Sequence, residues 1–272
     1  MNKVFTVLSM NVKHFSRANT DEDKVVAHIR QHQPDVFGLY EVEGPDIYGF
    51  ITEHFPDYLT LITDGQQTQE ILVACSKKFT GINFAQRHEF RAGNPNLRPG
   101  ALLSFQTAGE TYGLLFLHTD SGTEAPDFGN RAEMFEHAFN LKAKLDKAFD
   151  TNANFMILGD LNTMGLKYPK QIKKDIRIPD NLEIGHLQTQ AKAVNMQVLA
   201  KSHPATHFSK SFGESDLDHI LASTALTFKQ FSQDGKTFAV KVDGWNNLTG
   251  ADRDRYLTEV SDHCALICTV VK

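Results

Sequence analysis

Apolar and polar positions change period repeatedly along the chain, and each change marks an element. Val4 to Val12 is rich in β-branched and aromatic residues and reads as a strand. Thr20 then offers an N-cap, with Asp21, Glu22 and Asp23 in the first turn. Val25, Val26 and Ile29 follow at helical spacing, and Pro34 stops the helix. Asp35 to Tyr40 is a short apolar strand, so the chain opens as strand–helix–strand.

Tyr58 to Ile62 and Ile71 to Cys75 are further strands, with the turn around Gly65. Ala101 to Phe105 and Tyr112 to His118 predict a hairpin across Ala108 and Gly109. Arg131 to Phe149 is the clearest helix, with Met134, Phe135, Ala138, Leu141 and Leu145 on one face. Phe155 to Leu158 reads as a buried strand and Leu182 to Met196 as a helix. Ile220 to Phe231, Thr237 to Val242 and Cys264 to Val271 complete the strands, and Asp243 to Glu259 reads as a long polar loop. Many strands and few helices in mixed order predict an α/β fold of two packed sheets with helices outside. No linker or repeat interrupts the pattern, so residues 1–272 are expected to form one domain.

Composition narrows the function. The chain is 41% hydrophobic and 22% charged, which suits a globular protein with a sizeable core. A net charge of −5 counts against coating nucleic acid by electrostatics alone, although a metal ion and a local basic patch can offset that field. Cys75, Cys264 and Cys268 lack C-x-x-C spacing and sit among apolar residues, which predicts buried thiols in a reducing compartment. MNKVFTVLSMNV reads as a strand rather than a signal peptide, and no run reaches the roughly 18 apolar residues that span a bilayer. A cytoplasmic enzyme is the expectation, with no membrane association and no obligate protein partner.

Polar residues gather where the apolar runs end. Asn11 follows VLSM, Glu41 follows FGLY, His118 and Asp120 follow LLFL, Asp160 and Asn162 follow MILG, and Ser261-Asp262-His263 precedes CALI. One such residue is ordinarily a turn or cap. Five strand ends bearing them make a set of short side chains able to converge on a ligand. Asn, Glu and Asp supply the hard oxygen donors that suit magnesium.

The ordered motifs S-M-N, Y-E-V, L-H-T-D, G-D-L-N, L-D-H-I and S-D-H resemble those of the DNase-I-like endonuclease/exonuclease/phosphatase superfamily, from Asn11 to His263. That resemblance implies a four-layer α/β sandwich, two mixed sheets face to face between helices, with the site at one edge. It implies a metal-dependent phosphoesterase using Mg2+, with Mn2+ or Ca2+ as substitutes. Glu41 matches the principal metal carboxylate, Asn11 a residue supporting the metal or phosphate, and Asp262 a second metal-side carboxylate. Asp160 and Asn162 match the pair that aligns the attacking water. His263 matches the histidine on the scissile phosphate, with Asp218 as its orienting partner. His118 resembles a second histidine, a candidate general acid, and Glu70 stands where an acid accompanies it.

Substrate contacts are expected from Arg98 and from the basic stretch Lys167, Tyr168, Lys170, Lys173, Lys174 and Arg177 after G-D-L-N. Arg131 is a further phosphate-clamp candidate, and Trp245 offers a ring for stacking. His203 and His207 have metal-like spacing, but Pro204 keeps them off one regular helix, so zinc is not expected there. Two substrate classes stay open: nucleic acid, and a small or lipid-derived phosphate ester. A catalytically silent binding domain would lack Glu41, Asp160, Asn162 or His263, and all four are present.

Overall fold

The computed structural model describes residues 1–16, 20–66, 69–168 and 176–272. The first strand, β1 (Lys3–Phe15), is joined in parallel to β2 (Val36–Glu43) through helix α1 (Glu22–Gln31). Helix α2 (Pro45–His54), β3 (Tyr58–Ile62) and β4 (Gln69–Ser76) follow, then β5 (Thr80–Arg87), β6 (Gly100–Thr107) and β7 (Glu110–His118). A long helix, α3 (Ala125–Phe149), links β7 in parallel to β8 (Phe155–Asp160), and α4 (Asp180–Ala193) comes next. Helix α5 is Gly250–Glu259.

Among the described residues, one seven-stranded sheet holds β1 to β4 with strands Thr227–Phe228, Lys241–Asp243 and Ala265–Val271. A six-stranded sheet holds β5 to β8 with Met196–Val198 and Asp218–Ser223. Both mix parallel and antiparallel pairs, and they pack face to face between helices, as the sequence led us to expect.

Side-chain alternation explains the layering. In β7 and β8, Leu114, Phe116, Met156 and Leu158 enter the core between the sheets, while Leu115, Leu117, Phe155 and Ile157 pack outward with α3 and α4. The sheets approach so closely at Gly38 that a Cβ there would stand 2.3 Å from the Phe116 ring. Gly38→Ala is therefore expected to destabilise the fold by about 1–3 kcal/mol in urea unfolding.

Several elements differ from the sequence-based expectation. Asp21, not Thr20, caps α1, and its side chain accepts from the Lys24 amide at 3.2 Å. The polar loop before Ser261 contains α5, whose Tyr256 and Leu257 are buried. The run Ile220 to Phe231 breaks after Ser223, and the chain crosses to pair Thr227–Phe228 with the other sheet. All three cysteines are buried and free. No helix among the described residues is long and apolar enough to cross a membrane.

Candidate active site

Each parallel pair delivers two polar residues to the same edge. Asn11 and Glu41 stand where the pairing of β1 with β2 slips in register, while His118 and Asp160 end β7 and β8 as paired residues in register. Asp218 pairs with Asp160 on the other side, giving a row His118–Asp160–Asp218 across three strands. Gly159 permits this packing, because a Cβ there would lie 1.8 Å from the Leu117 carbonyl oxygen.

Glu41 reaches the site through a bulge. Tyr40 already points between the sheets, where its hydroxyl donates to the Leu158 carbonyl at 3.0 Å, so a regular strand would turn Glu41 away. The register slips between Leu39 and Val42 on one side and between Asn11 and Phe15 on the other. Glu41 adopts φ 61°, and its carboxylate swings to the inter-sheet edge. Lys13 and His14 also have positive φ, and the His14 amide donates to Glu41 Oε2 at 3.1 Å.

The two sheets meet chemically at Asn11. Its amide nitrogen donates to Glu41 Oε1 at 3.0 Å and to Asp160 Oδ2 at 2.9 Å, while its amide oxygen accepts from the Lys13 amide. The nitrogen therefore faces the two carboxylates and orients them, a position from which Asn11 can support a metal or phosphate beside them. His118 Nε2 lies 3.7 Å from Glu41 Oε1 and 3.5 Å from Asp160 Oδ2. His263 Nε2 stands 3.8 Å from Asp160 Oδ2, and its Nδ1 bonds Asp218 Oδ2 at 2.8 Å. Asp218 is held in turn by the Thr206 hydroxyl, which accepts from its amide. The Asn162 amide donates to Asp160 Oδ1 at 3.2 Å, and its side chain bonds the Thr119 carbonyl.

Charge is distributed unevenly over these groups. Burial works against a charged His263, but Asp218 and Asp160 outweigh it and raise the imidazole to about 10. Burial lifts Asp160 to about 7, with His263 opposing and Asp218 assisting. His118 falls well below its usual value through burial, then the Arg98 guanidinium and His263. His263 is the group that keeps its proton.

Glu41, His118 and Asp160 each offer a ligand atom within 4.8 Å of the others, and so do Asp160, Asp218 and His263. Two carboxylates converging at a solvent-reached edge, with Glu41 oriented by Asn11, are the donor set a hard divalent ion requires. Asp262 lies outside the Glu41 group. It belongs with His207 and His263, and its carboxylate is 3.2 Å from Lys13 Nζ.

Other expected contacts are placed differently. Trp245 is 1% exposed, packed against His203 and Phe208 with Arg253 over its ring, so it has no face for a substrate. Arg131 is fully buried, bonded to Glu183 and to the Gly122 and Gly165 carbonyls, and clamps the chain rather than phosphate. Arg98 does stand by the site, bonded to Gln69 and within the field of Glu41, Asp160, Asp120 and Glu70. Glu70 accepts from the Thr63 hydroxyl, and burial raises its carboxyl. Lys167 and Arg177 pair across a short hairpin of Leu166–Tyr168 with Ile176–Ile178; Lys170, Lys173 and Lys174 lie outside the described residues, as does the Tyr168 side chain. His207, set aside as a zinc ligand, lies against His263 with ring centroids 4.7 Å apart and the rings tilted by 47°. His14 was not singled out either. Only the bulge brings it to Glu41, and a bulge leaves no mark in periodicity.

This site and fold define a phosphoester-cleaving class, and the chain belongs to the endonuclease/exonuclease/phosphatase family, whose sequence profile matches residues 8–263. Comparison with curated proteins finds no match. Among solved structures, truncated Caenorhabditis elegans TDP2 superposes with TM-score 0.68 at 18% identity, covering 98% of each chain. D. rerio TDP2 complexed with single strand DNA product gives 0.67 at 14% identity over 100% of each chain. A 3'-5' exonuclease (NExo) from Neisseria meningitidis gives 0.63 at 13% identity, covering 98% of this chain and 100% of that one.

Proposed function

We propose that this chain, acting as a single domain, is a Mg2+-dependent phosphodiesterase that cleaves single-stranded nucleic acid. The observation that carries this reading is the meeting of Glu41, His118, Asp160 and His263 through contacts of 3.5–3.8 Å at one edge. Glu41 and Asp160 would hold the ion, with Mn2+ or Ca2+ as substitutes, and when bound it neutralises phosphate charge and activates water. Asp160, fixed by the Asn11 and Asn162 nitrogens, aligns the nucleophile and takes its proton. His263, kept charged by Asp218, donates a hydrogen bond to the developing negative charge on the phosphoryl oxygens. Asp262 holds Lys13 at the rim, and Arg98 screens the acidic cluster. Buried free thiols suit a reducing, cytoplasmic setting.

A cavity of about 800 Å3 beside Asp262 supports the choice of substrate. Lys13, His14 and Lys210 supply positive or proton-binding groups, and Phe212, 89% exposed, supplies an aromatic face. Cations interleaved with an exposed ring suit a phosphate backbone with an unpaired base. The D. rerio TDP2 structure complexed with single strand DNA product points the same way. Phe212→Ala is expected to raise KM for a single-stranded oligonucleotide about tenfold, within the usual range for one stacked base. The rate on bis-p-nitrophenyl phosphate, which has no neighbouring base, should not move. The test of the whole reading is an activity screen with Mg2+ over single-stranded DNA, duplex DNA, RNA and that small diester. Turnover of the small diester with every nucleic acid inert would favour instead a small or lipid-derived phosphate, to which the net charge of −5 is suited.

A further inference from the structure

A second group of metal-ligand side chains lies away from the cleft, where α1 meets strand Lys241–Asp243. His28 is in the last turns of α1 and His32 is its C-cap, so four residues separate two imidazoles on one helix face. Their rings meet edge to face with centroids 5.2 Å apart. Asp243 closes the group, and His28, His32 and Asp243 each bring one ligand atom within 4.8 Å of the other two.

The pairing of His32 with Asp243 is the informative contact. His32 Nε2 lies 2.9 Å from Asp243 Oδ2 as an ion pair, with the His32 side chain only 7% exposed. Ligation of one cation through bonds of about 2.0–2.1 Å would spread these two atoms to roughly 3.3 Å, the ligand spacing of a tetrahedral ion.

The surroundings also suit an ion. Asn247 and Lys241 engage Asp243 Oδ1 at 2.7 and 3.2 Å, which orients the carboxylate and leaves Oδ2 toward the histidines. A cavity of about 370 Å3, lined by His28, Tyr256 and Glu259, opens beside His28. Two imidazoles and one carboxylate favour a borderline ion over the hard ion of the oxygen-rich cleft.

We propose that His28, His32 and Asp243 bind Zn2+ and thereby clamp the C-terminus of α1 to strand Lys241–Asp243. This does not depend on the phosphodiesterase reading. Equilibrium dialysis against Zn2+ with excess Mg2+ should show a bound equivalent that Glu41→Gln retains. His32→Gln and Asp243→Asn should each weaken it by more than about 100-fold, the upper end of the loss from merely disturbing an outer-shell partner. Wild-type crystals soaked in Zn2+ should show an anomalous peak between the three side chains. That second measurement decides the matter if a variant fails to fold. Equal zinc binding by wild type and both variants, or no anomalous peak at this position, would overturn the proposal.

Discussion

Replacing His263 by glutamine is expected to lower phosphodiester turnover by about 10³-fold, or roughly 4 kcal/mol of transition-state stabilisation, while the chain stays folded. The imidazole bonds Asp218 at 2.8 Å and sits 3.8 Å from Asp160, so its charge persists through the neutral range. Glutamine keeps a donor of similar reach but removes that charge. The pH profile adds a signature. Wild-type activity should rise with pH as Asp160 loses its proton and fall at higher pH as His263, held charged by Asp218, loses its own. His263 is the neighbour that lowers Asp160, so its removal should move the acid limb to higher pH. Loss of rate with an unmoved limb would deny the coupling.

Glu41→Gln is expected to cost about 10³-fold in kcat/KM at fixed Mg2+, with partial recovery as Mg2+ is raised. Asn11 and the His14 amide hold both carboxylate oxygens in place, so the substitution removes charge with little change of shape. A residue that served only the fold would give no such rescue. Titration of rate against Mg2+ in the two proteins makes the comparison, and a full wild-type rate in the variant would exclude Glu41 from the site.

Much of this arrangement was legible because short motifs fall at strand ends. G-D-L-N fixes three things at once: a glycine forced by the Leu117 carbonyl, the Asp160 carboxylate, and the Asn162 turn that donates back to it. S-D-H joins Ser261, whose hydroxyl bonds the Asn11 carbonyl, to His263. What stayed hidden depends on tertiary contacts. The contact of His207 with His263 joins rings 56 residues apart in sequence. Trp245 and Arg131 have the side chains of substrate contacts, but neighbouring elements enclose both. Helix α2, PDIYGFITEH, carries Gly49 and several β-branched or aromatic residues of modest helix propensity, so its pattern did not declare itself. The Ile220 to Phe231 run looked continuous because strands in both sheets are apolar, and hydrophobicity does not say which sheet a strand joins.

The most direct measurement is hydrolysis of a 5'-labelled single-stranded oligonucleotide by chelator-treated protein, with and without added Mg2+, in wild type and Asp160→Asn. Cleavage that requires Mg2+ and is lost in the variant is the expected result. Undiminished cleavage without the ion, or by Asp160→Asn at the wild-type rate, would contradict a carboxylate-built metal site at the meeting edge of the two sheets.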